Sequence, residues 1–118
     1  MRDGDEQIRV VPSMGRDGWH ALVDPTSELA PAGAERAIFA SADGCFTVGM
    51  WEREPDTWSF ERPYDEVSLI LAGDADIETA DGSILKIGPG DVLVTPKGSK
   101  GTWQVREKIV KLYAIYDA

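Results

Sequence analysis

A length of 118 residues, 42% of them hydrophobic and 28% charged, fits one globular domain with its own core. The net charge of −9 disfavours nucleic acid and anionic membranes as partners, because an acidic surface repels phosphate groups. The chain has no apolar run near the ~20 residues that cross a bilayer, no signal-peptide pattern at its start and only one cysteine, Cys45, so we expect a cytoplasmic protein.

The first third of the chain differs from the rest. Residues 1–34 are rich in Gly, Pro and Asp, and we predict an irregular segment there, with one brief strand at 7–11, that packs on the following domain or on a partner subunit. Residues 35–118 are predicted to form the domain itself. Short strand patterns separated by turn signals follow one another through it, at 36–42, 45–52, 57–62, 66–72, 75–80, 83–87, 91–95, 101–107 and 109–117.

Turn signals separate these strands clearly. Asp81-Gly82 is a strong hairpin signal, and Gly73-Asp74 is predicted to end the strand before it. Nine or ten short strands with regular turns and almost no helix indicate an all-β barrel or sandwich.

Two of the predicted strands are apolar on both faces. Val67, Leu69 and Leu71 share one face of their strand, while Ile70 lies on the other. Residues 109–116 show the same double pattern. A lone barrel buries one face of each strand and exposes the other to water. We therefore expect a second layer, supplied either by the N-terminal segment or by a second subunit, and we favour a homodimer because residues 1–34 hold few apolar groups.

Two short motifs resemble those of the cupin barrel. Glu66 is followed after six residues by Gly73, and "GDVLVTPKG" (90–98) matches the second cupin motif. Over residues 36–116 the sequence resembles the small cupins related to ureidoglycine aminohydrolase and to the ethanolamine-utilisation cupins. The run "KG…GTW…R…K.Y" is the most particular mark of that family. The resemblance implies a cupin double-stranded jelly roll, of the RmlC-like type.

Most of the metal ligands that the resemblance implies are missing. The cupin pattern has two histidines shortly before the glutamate, and these positions fall here on Ser59 and Glu61 or on Phe60 and Arg62. Its last histidine falls on Gly101, and the only histidine of the chain, His20, lies outside the motifs. A catalytic transition metal needs three or more converging ligands. We therefore predict no metal and no other cofactor.

The interior of the barrel is predicted to hold polar groups in place of a metal. Glu66 and Lys111 each lie among apolar residues of a strand, where a lone charge is costly, so we predict that they meet as a buried pair near the open end of the barrel. Aromatic side chains are the predicted walls of a ligand pocket around this pair. They are Trp51, Trp58, Tyr64, Trp103 and Tyr113.

Three functions remain open at this stage. The first is a metal-free cupin that binds a small polar metabolite in its lumen. The second is an enzyme, related to ureidoglycine aminohydrolase or to a cupin that modifies sugars or amines, for which the sequence identifies no catalytic residues. The third is a structural or regulatory dimer with a filled barrel. We favour the first, and the sequence does not name the ligand.

Overall fold

A computed structural model describes residues 8–11, 16–22 and 33–118. The described residues form eight antiparallel strands and no helix, which confirms the predicted all-β class. The strands are β1 (Trp19–Leu22), β2 (Gly33–Ala40), β3 (Phe46–Arg53), β4 (Asp56–Glu61), β5 (Asp65–Thr79), β6 (Ile84–Ile87), β7 (Val92–Thr95) and β8 (Lys100–Tyr116).

Strands β5 and β8 build both layers of the fold. They pair with each other over nearly their whole length, from Asp65 opposite Tyr116 to Thr79 opposite Gly101. The first half of β5 and the second half of β8 lie in one layer, with β7 on one side and β3, β2 and β1 on the other. The remaining halves lie in a second layer between β4 and β6. The two layers face each other, and the core lies between them.

The two long strands correct the predicted strand count of nine or ten. Gly73-Asp74 does not end a strand but lies inside β5, where the pairing shifts register three times between Ile70 and Ala75. The sharp bend there requires a glycine. Gly73 has a φ of +107°, and a Cβ atom at this position would lie 2.4 Å from the backbone oxygen of Lys108. The signal expected to mark a turn therefore marks a bulge that carries the strand from one layer to the other.

The described part of the N-terminal segment includes one strand that was not predicted. Trp19–Leu22 pairs with Gly33–Arg36 as an edge strand, although its four residues show no strand pattern. The backbone hydrogen bonds that β2 offers at its free edge explain this strand. The brief strand predicted at 7–11 is wrong for residues 8–11, which are not in a strand. Residues 1–7, 12–15 and 23–32 lie outside the described part of the chain.

The core consists of β-branched and aromatic side chains from the two layers. Its buried members are Ile70, Ala75, Ile77, Ile87, Trp103, Val105 and Ile109. The outer face of the first layer is also apolar, as predicted, and its side chains are exposed. This face carries Phe46, Val67, Leu69, Leu71, Val92, Val94 and Tyr116. Within the described ranges, no helix is long and apolar enough to span a membrane.

Candidate functional site

A partly enclosed cavity of about 290 Å³ opens between the two layers. All seven residues that the sequence analysis proposed for the lumen line it. They are Trp51, Trp58, Tyr64, Glu66, Trp103, Lys111 and Tyr113. Their presence in one cavity is observed, and their role in binding a ligand stays a prediction.

Glu66 and Lys111 form the buried pair that was predicted. Lys111 Nζ donates a hydrogen bond to Glu66 Oε2 at 2.7 Å, and the two side chains are only 5% and 3% exposed. Both residues reach the interior through strand alternation. Glu66, Ser68 and Ile70 form the buried face of β5, while Val67 and Leu69 between them point outward.

Further donors complete the surroundings of Glu66. The hydroxyl of Ser68 donates to Glu66 Oε2 at 2.8 Å, and Arg62 Nε lies 3.4 Å from Glu66 Oε1. Burial by itself would raise the pKa of the Glu66 carboxyl, but the charge and hydrogen bond of Lys111, together with Arg62 and Ser68, hold the pKa below its ordinary value. Glu66 is therefore an ionised carboxylate at neutral pH.

Lys111 also lies against aromatic rings. Its Nζ is 4.6 Å from the ring centre of Trp51 and 5.7 Å from that of Trp103. Burial lowers the pKa of the Lys111 ammonium, and the negative charge of Glu66 opposes this effect without cancelling it. The hydrogen bond to Glu66 uses one of the three N–H groups of the ammonium.

Three tryptophans form one wall of the cavity. Trp58 stacks on Trp103 with ring centres 5.8 Å apart and planes tilted by 12°, and Trp51 contacts both rings at 6.0 and 6.1 Å. Trp58 and Trp103 are direct register partners of β4 and β8, which fixes their separation. The guanidinium of Arg53 also lies over the Trp58 ring, 4.4 Å from its centre.

A second polar pair, Tyr113 and Glu35, lines the same cavity. The Tyr113 hydroxyl donates a hydrogen bond to Glu35 Oε1. Burial raises the pKa of Tyr113, and the bond to Glu35 raises it further. The absence of a side chain at Gly49 leaves space for the Tyr113 hydroxyl, because a Cβ atom there would lie 2.3 Å from it. Burial, followed by the charge of Glu66, also raises the pKa of Tyr64.

The sequence analysis did not assign Glu35, Arg53 and Arg62 to the cavity, although all three line it. A signal for Arg62 was available. Of the two pairs of positions counted back from Glu66, the pair Phe60 and Arg62 lies on the more buried face of the chain, whereas Ser59 and Glu61 are exposed. Arg62 therefore stands at a position where the cupin pattern has a histidine. No sequence signal identified Glu35, which lies on β2 outside the motifs.

The described residues contain no group of three His, Cys, Asp or Glu side chains arranged to hold a metal ion. His20 is exposed on the edge strand β1 and does not line the cavity. Gly101, at the last expected histidine position, pairs with Phe60 and Thr79 in the second layer. Lys111 and Arg62 instead place two positive charges around Glu66. The metal content of the protein stays a prediction.

The bent antiparallel layers around this cavity are those of a cupin jelly roll, and comparison with known proteins gives the family. Residues 40–113 match the model of the EutQ-like cupin domain. Because this match covers more than half of the chain, the protein belongs to the EutQ-like cupin family.

Individual relatives agree with this assignment. The acetate kinase EutQ of Clostridioides difficile is 32% identical over 75 residues, which are 64% of this chain but only 45% of that relative. The solved structure of the C. difficile EutQ protein has a TM-score of 0.67 at 24% identity. The match covers 81% of this chain and 75% of that one. A protein of the DUF861 family from Thermotoga maritima has a TM-score of 0.55 at 31% identity, over 57% of this chain and 76% of that one.

These matches support one half of the predicted resemblance. The cupin fold and the likeness to ethanolamine-utilisation cupins are confirmed. The likeness to ureidoglycine aminohydrolase is not supported, since the matching family is the EutQ-like one. The chain spans less than half the length of the curated relative it matches.

Proposed function

We propose that the protein binds a small polar metabolite in the cavity without a metal ion. The observation that carries this proposal is a buried ion pair, Glu66 and Lys111, on the wall of an aromatic-lined cavity of about 290 Å³. An aromatic wall with a few converging polar groups is typical of a small-molecule site. A pair that served stability alone would need no cavity beside it.

The unused donors of the site favour a ligand with an acidic or strongly hydrogen-bonding group. Arg53 Nε is buried and has no hydrogen-bond partner among the described residues, which is costly unless a ligand or water supplies one. Lys111 keeps N–H groups beyond the one that Glu66 accepts. Arg62 adds a third cation, so the described residues of the cavity wall carry three positive side chains against the two carboxylates of Glu35 and Glu66.

Two measurements test the binding proposal. Native mass spectrometry of the freshly purified protein shows whether a small molecule co-purifies. Thermal-shift measurements with a panel of small carboxylates, amines and ureido compounds then show which class stabilises the protein. A panel that leaves the melting temperature unchanged, with no co-purified mass, would contradict the proposal.

A pair of arginine variants locates the binding. Arg62→Gln removes a cavity cation next to Glu66 and should weaken the binding of an acidic ligand about tenfold or more, as expected for a charge-assisted hydrogen bond. Arg106→Gln is the matched control, because Arg106 is half exposed and pairs with Asp74 and Asp76 away from the cavity. Equal affinities of the two variants would place the ligand elsewhere.

An enzyme remains the alternative function. The name of the C. difficile relative suggests phosphoryl transfer to acetate, and the 32% identity over 75 residues is the observation in its favour. A coupled assay for ADP formation from ATP and acetate tests it. The other enzymatic alternatives, turnover of ureido compounds or of sugars and small amines, are tested by incubating the same panel with the protein and searching for products. Without turnover, the binding function alone stands.

A homodimer is the proposed assembly. The outer face of the first layer exposes large apolar side chains from four strands, including Val67, Leu69 and Val94. Single monomers rarely expose so extensive an apolar surface. A second copy of the chain would cover it, in an interface of upwards of about 2,000 Å². The third alternative, a dimer with a filled barrel, is disfavoured by the open cavity.

A further inference from the structure

Lys111 differs from every other lysine of the chain. The sequence has five lysines, and the structure describes all of them. Lys111 is 4% exposed and lines the cavity. The other four are exposed, and none of them lines the cavity; they are Lys86, Lys97, Lys100 and Lys108.

The fold holds the Lys111 amine in one place. The residue lies in the middle of β8 with register partners on both sides, Trp51 on β3 and Ile70 on β5. The side chain ends between the carboxylate of Glu66 and the rings of Trp51 and Trp103. A lysine buried against aromatic rings, with a carboxylate in hydrogen-bond contact, has the surroundings of a nucleophilic amine.

We propose that Lys111 forms a reversible imine with a small aldehyde or ketone that carries an acidic group and enters the cavity. This inference rests on the proposed binding function and names the chemical class of the ligand. The acidic group of the ligand would lie near Arg62 and Arg53, and its carbonyl carbon at Lys111 Nζ.

Glu66 supplies the proton transfers that the reaction needs. Its carboxylate accepts a proton from the Lys111 ammonium across the 2.7 Å hydrogen bond, which leaves the neutral amine. The nitrogen lone pair attacks the carbonyl carbon, the carbonyl π electrons move to oxygen, and the oxygen takes the proton from Glu66. The nitrogen of this carbinolamine returns a proton to Glu66, and the hydroxyl leaves as water with that proton. The nitrogen lone pair forms the C=N bond as the water leaves, so the ammonium and the carbonyl compound give a protonated imine and water, Glu66 is a carboxylate again, and no oxidant or reductant is needed.

The electrostatics of the cavity agree with this role. Burial lowers the pKa of Lys111 and so favours the neutral, nucleophilic amine. The other charges that act on the amine are Glu66 from β5, Arg62 from the segment between β4 and β5, and Glu35 from β2. The two carboxylates oppose the effect of burial, and Arg62 adds to it.

Reductive trapping tests the proposal on the full-length protein. The protein is incubated briefly with pyruvate and cyanoborohydride, which reduces an imine to a stable secondary amine, and peptide mass mapping then locates the adduct. We expect at least about tenfold more adduct on Lys111 than on any surface lysine, because Lys111 alone among the five lysines lines the cavity with a buried acid–base group, Glu66, beside it. Propionaldehyde, which lacks the acidic group, should label Lys111 less selectively.

Lactate separates this proposal from the proposed function. It has the shape and charge of pyruvate but a hydroxyl in place of the carbonyl, so it can bind without forming an imine. Thermal stabilisation by both acids without an adduct on Lys111 would overturn the imine and leave binding intact. An adduct spread evenly over the lysines would also overturn it. No stabilisation and no adduct would count against both proposals.

Two variants and a pH series test the role of Glu66. Glu66→Gln should slow adduct formation on Lys111 by at least about tenfold, whereas Lys86→Arg, on the surface, should leave it unchanged. If Glu66→Gln does not fold, the pH dependence of adduct formation in the wild-type protein tests the proposal instead. Lys111 should still react at a pH where free Nα-acetyl-lysine no longer does, because burial lowers the pKa of Lys111. Equal pH profiles for Lys111 and the free lysine derivative would overturn the proposal.

Discussion

Lys111→Met tests whether the buried pair of the cavity stabilises the fold. The substitution keeps a long side chain against Trp51 and Trp103 but removes the only cation of the described residues within 3 Å of the Glu66 carboxylate. Removing one partner of a buried pair costs roughly 3–5 kcal/mol, because the other charge stays buried. Glu66 keeps its contacts with Ser68 and Arg62, so we expect the lower end of that range.

The assay is thermal and urea unfolding followed by tryptophan fluorescence. For a chain of 118 residues, a loss of about 3 kcal/mol corresponds to a decrease in melting temperature of roughly 10–15 °C. Binding of an acidic ligand should be lost as well. Lys100→Met is the control, since Lys100 lies on the same strand and its pair with Glu61 is exposed on both sides. An ion pair on the surface contributes little to stability, so the melting temperature of Lys100→Met should differ from that of the wild type by no more than about 2 °C.

A double variant separates charge from packing. Glu66→Gln added to Lys111→Met removes the carboxylate that the single substitution leaves without its lysine partner. The double variant should recover much of the free energy of unfolding lost in Lys111→Met. The exchanged pair, Glu66→Lys with Lys111→Glu, should recover the fold but not ligand binding, because the amine and the carboxylate have changed places. If Lys111→Met melts at the wild-type temperature, Glu66 is adequately compensated by its other neighbours, and the pair is not a stabilising element.

Three further measurements address metal content, assembly and pH dependence. The purified protein should contain well under one equivalent of Zn, Mn, Fe or Ni per chain, because the cupin ligand positions lack histidine; near-stoichiometric metal in elemental analysis after dialysis and mild chelation would contradict this. Light scattering at micromolar concentration should give the mass of a dimer, and Leu69→Lys on the outer face should give a monomer; a wild-type monomer would mean that another element covers this face. Stability should decrease as the pH falls below about 4.5, because the unfolded chain takes up a proton at Glu66 at a higher pH than the folded protein does. Urea unfolding from neutral to acidic pH should show that the free energy of unfolding decreases less steeply with falling pH in Glu66→Gln than in the wild type. Identical pH dependence of the two proteins would show that other carboxylates determine the loss of stability in acid.

Local pattern was sufficient for the class of fold and for most of the site. Alternation along 66–70 and around Lys111 grouped the residues by face, because side chains of a strand point alternately to its two faces, although both faces are apolar and the pattern alone did not identify the inward one. The cost of burying a lone charge then predicted that Glu66 and Lys111 would meet, and the two strands that carry them are neighbours. The five aromatic residues assigned to the lumen lie there as well.

Long-range pairing decided the rest. Gly73-Asp74 has the sequence of a turn, yet β8 pairs with the chain on both sides of it, so the chain bends and continues as one strand. A glycine followed by aspartate fits a turn or a bulge equally well, and only the partner strand distinguishes the two. Trp19–Leu22 likewise becomes a strand only because β2 presents a free edge.

The charges of Glu35 and Arg53 reach the cavity for the same reason. Each lies on a strand whose inward face is set by pairing with its neighbours, and neither belongs to a motif. Arg62 lies beyond the end of β4, and its place beside Glu66 depends on how the chain turns before β5. The local sequence thus determined which residues can face inward, whereas the contacts between distant strands determined which charges share one cavity.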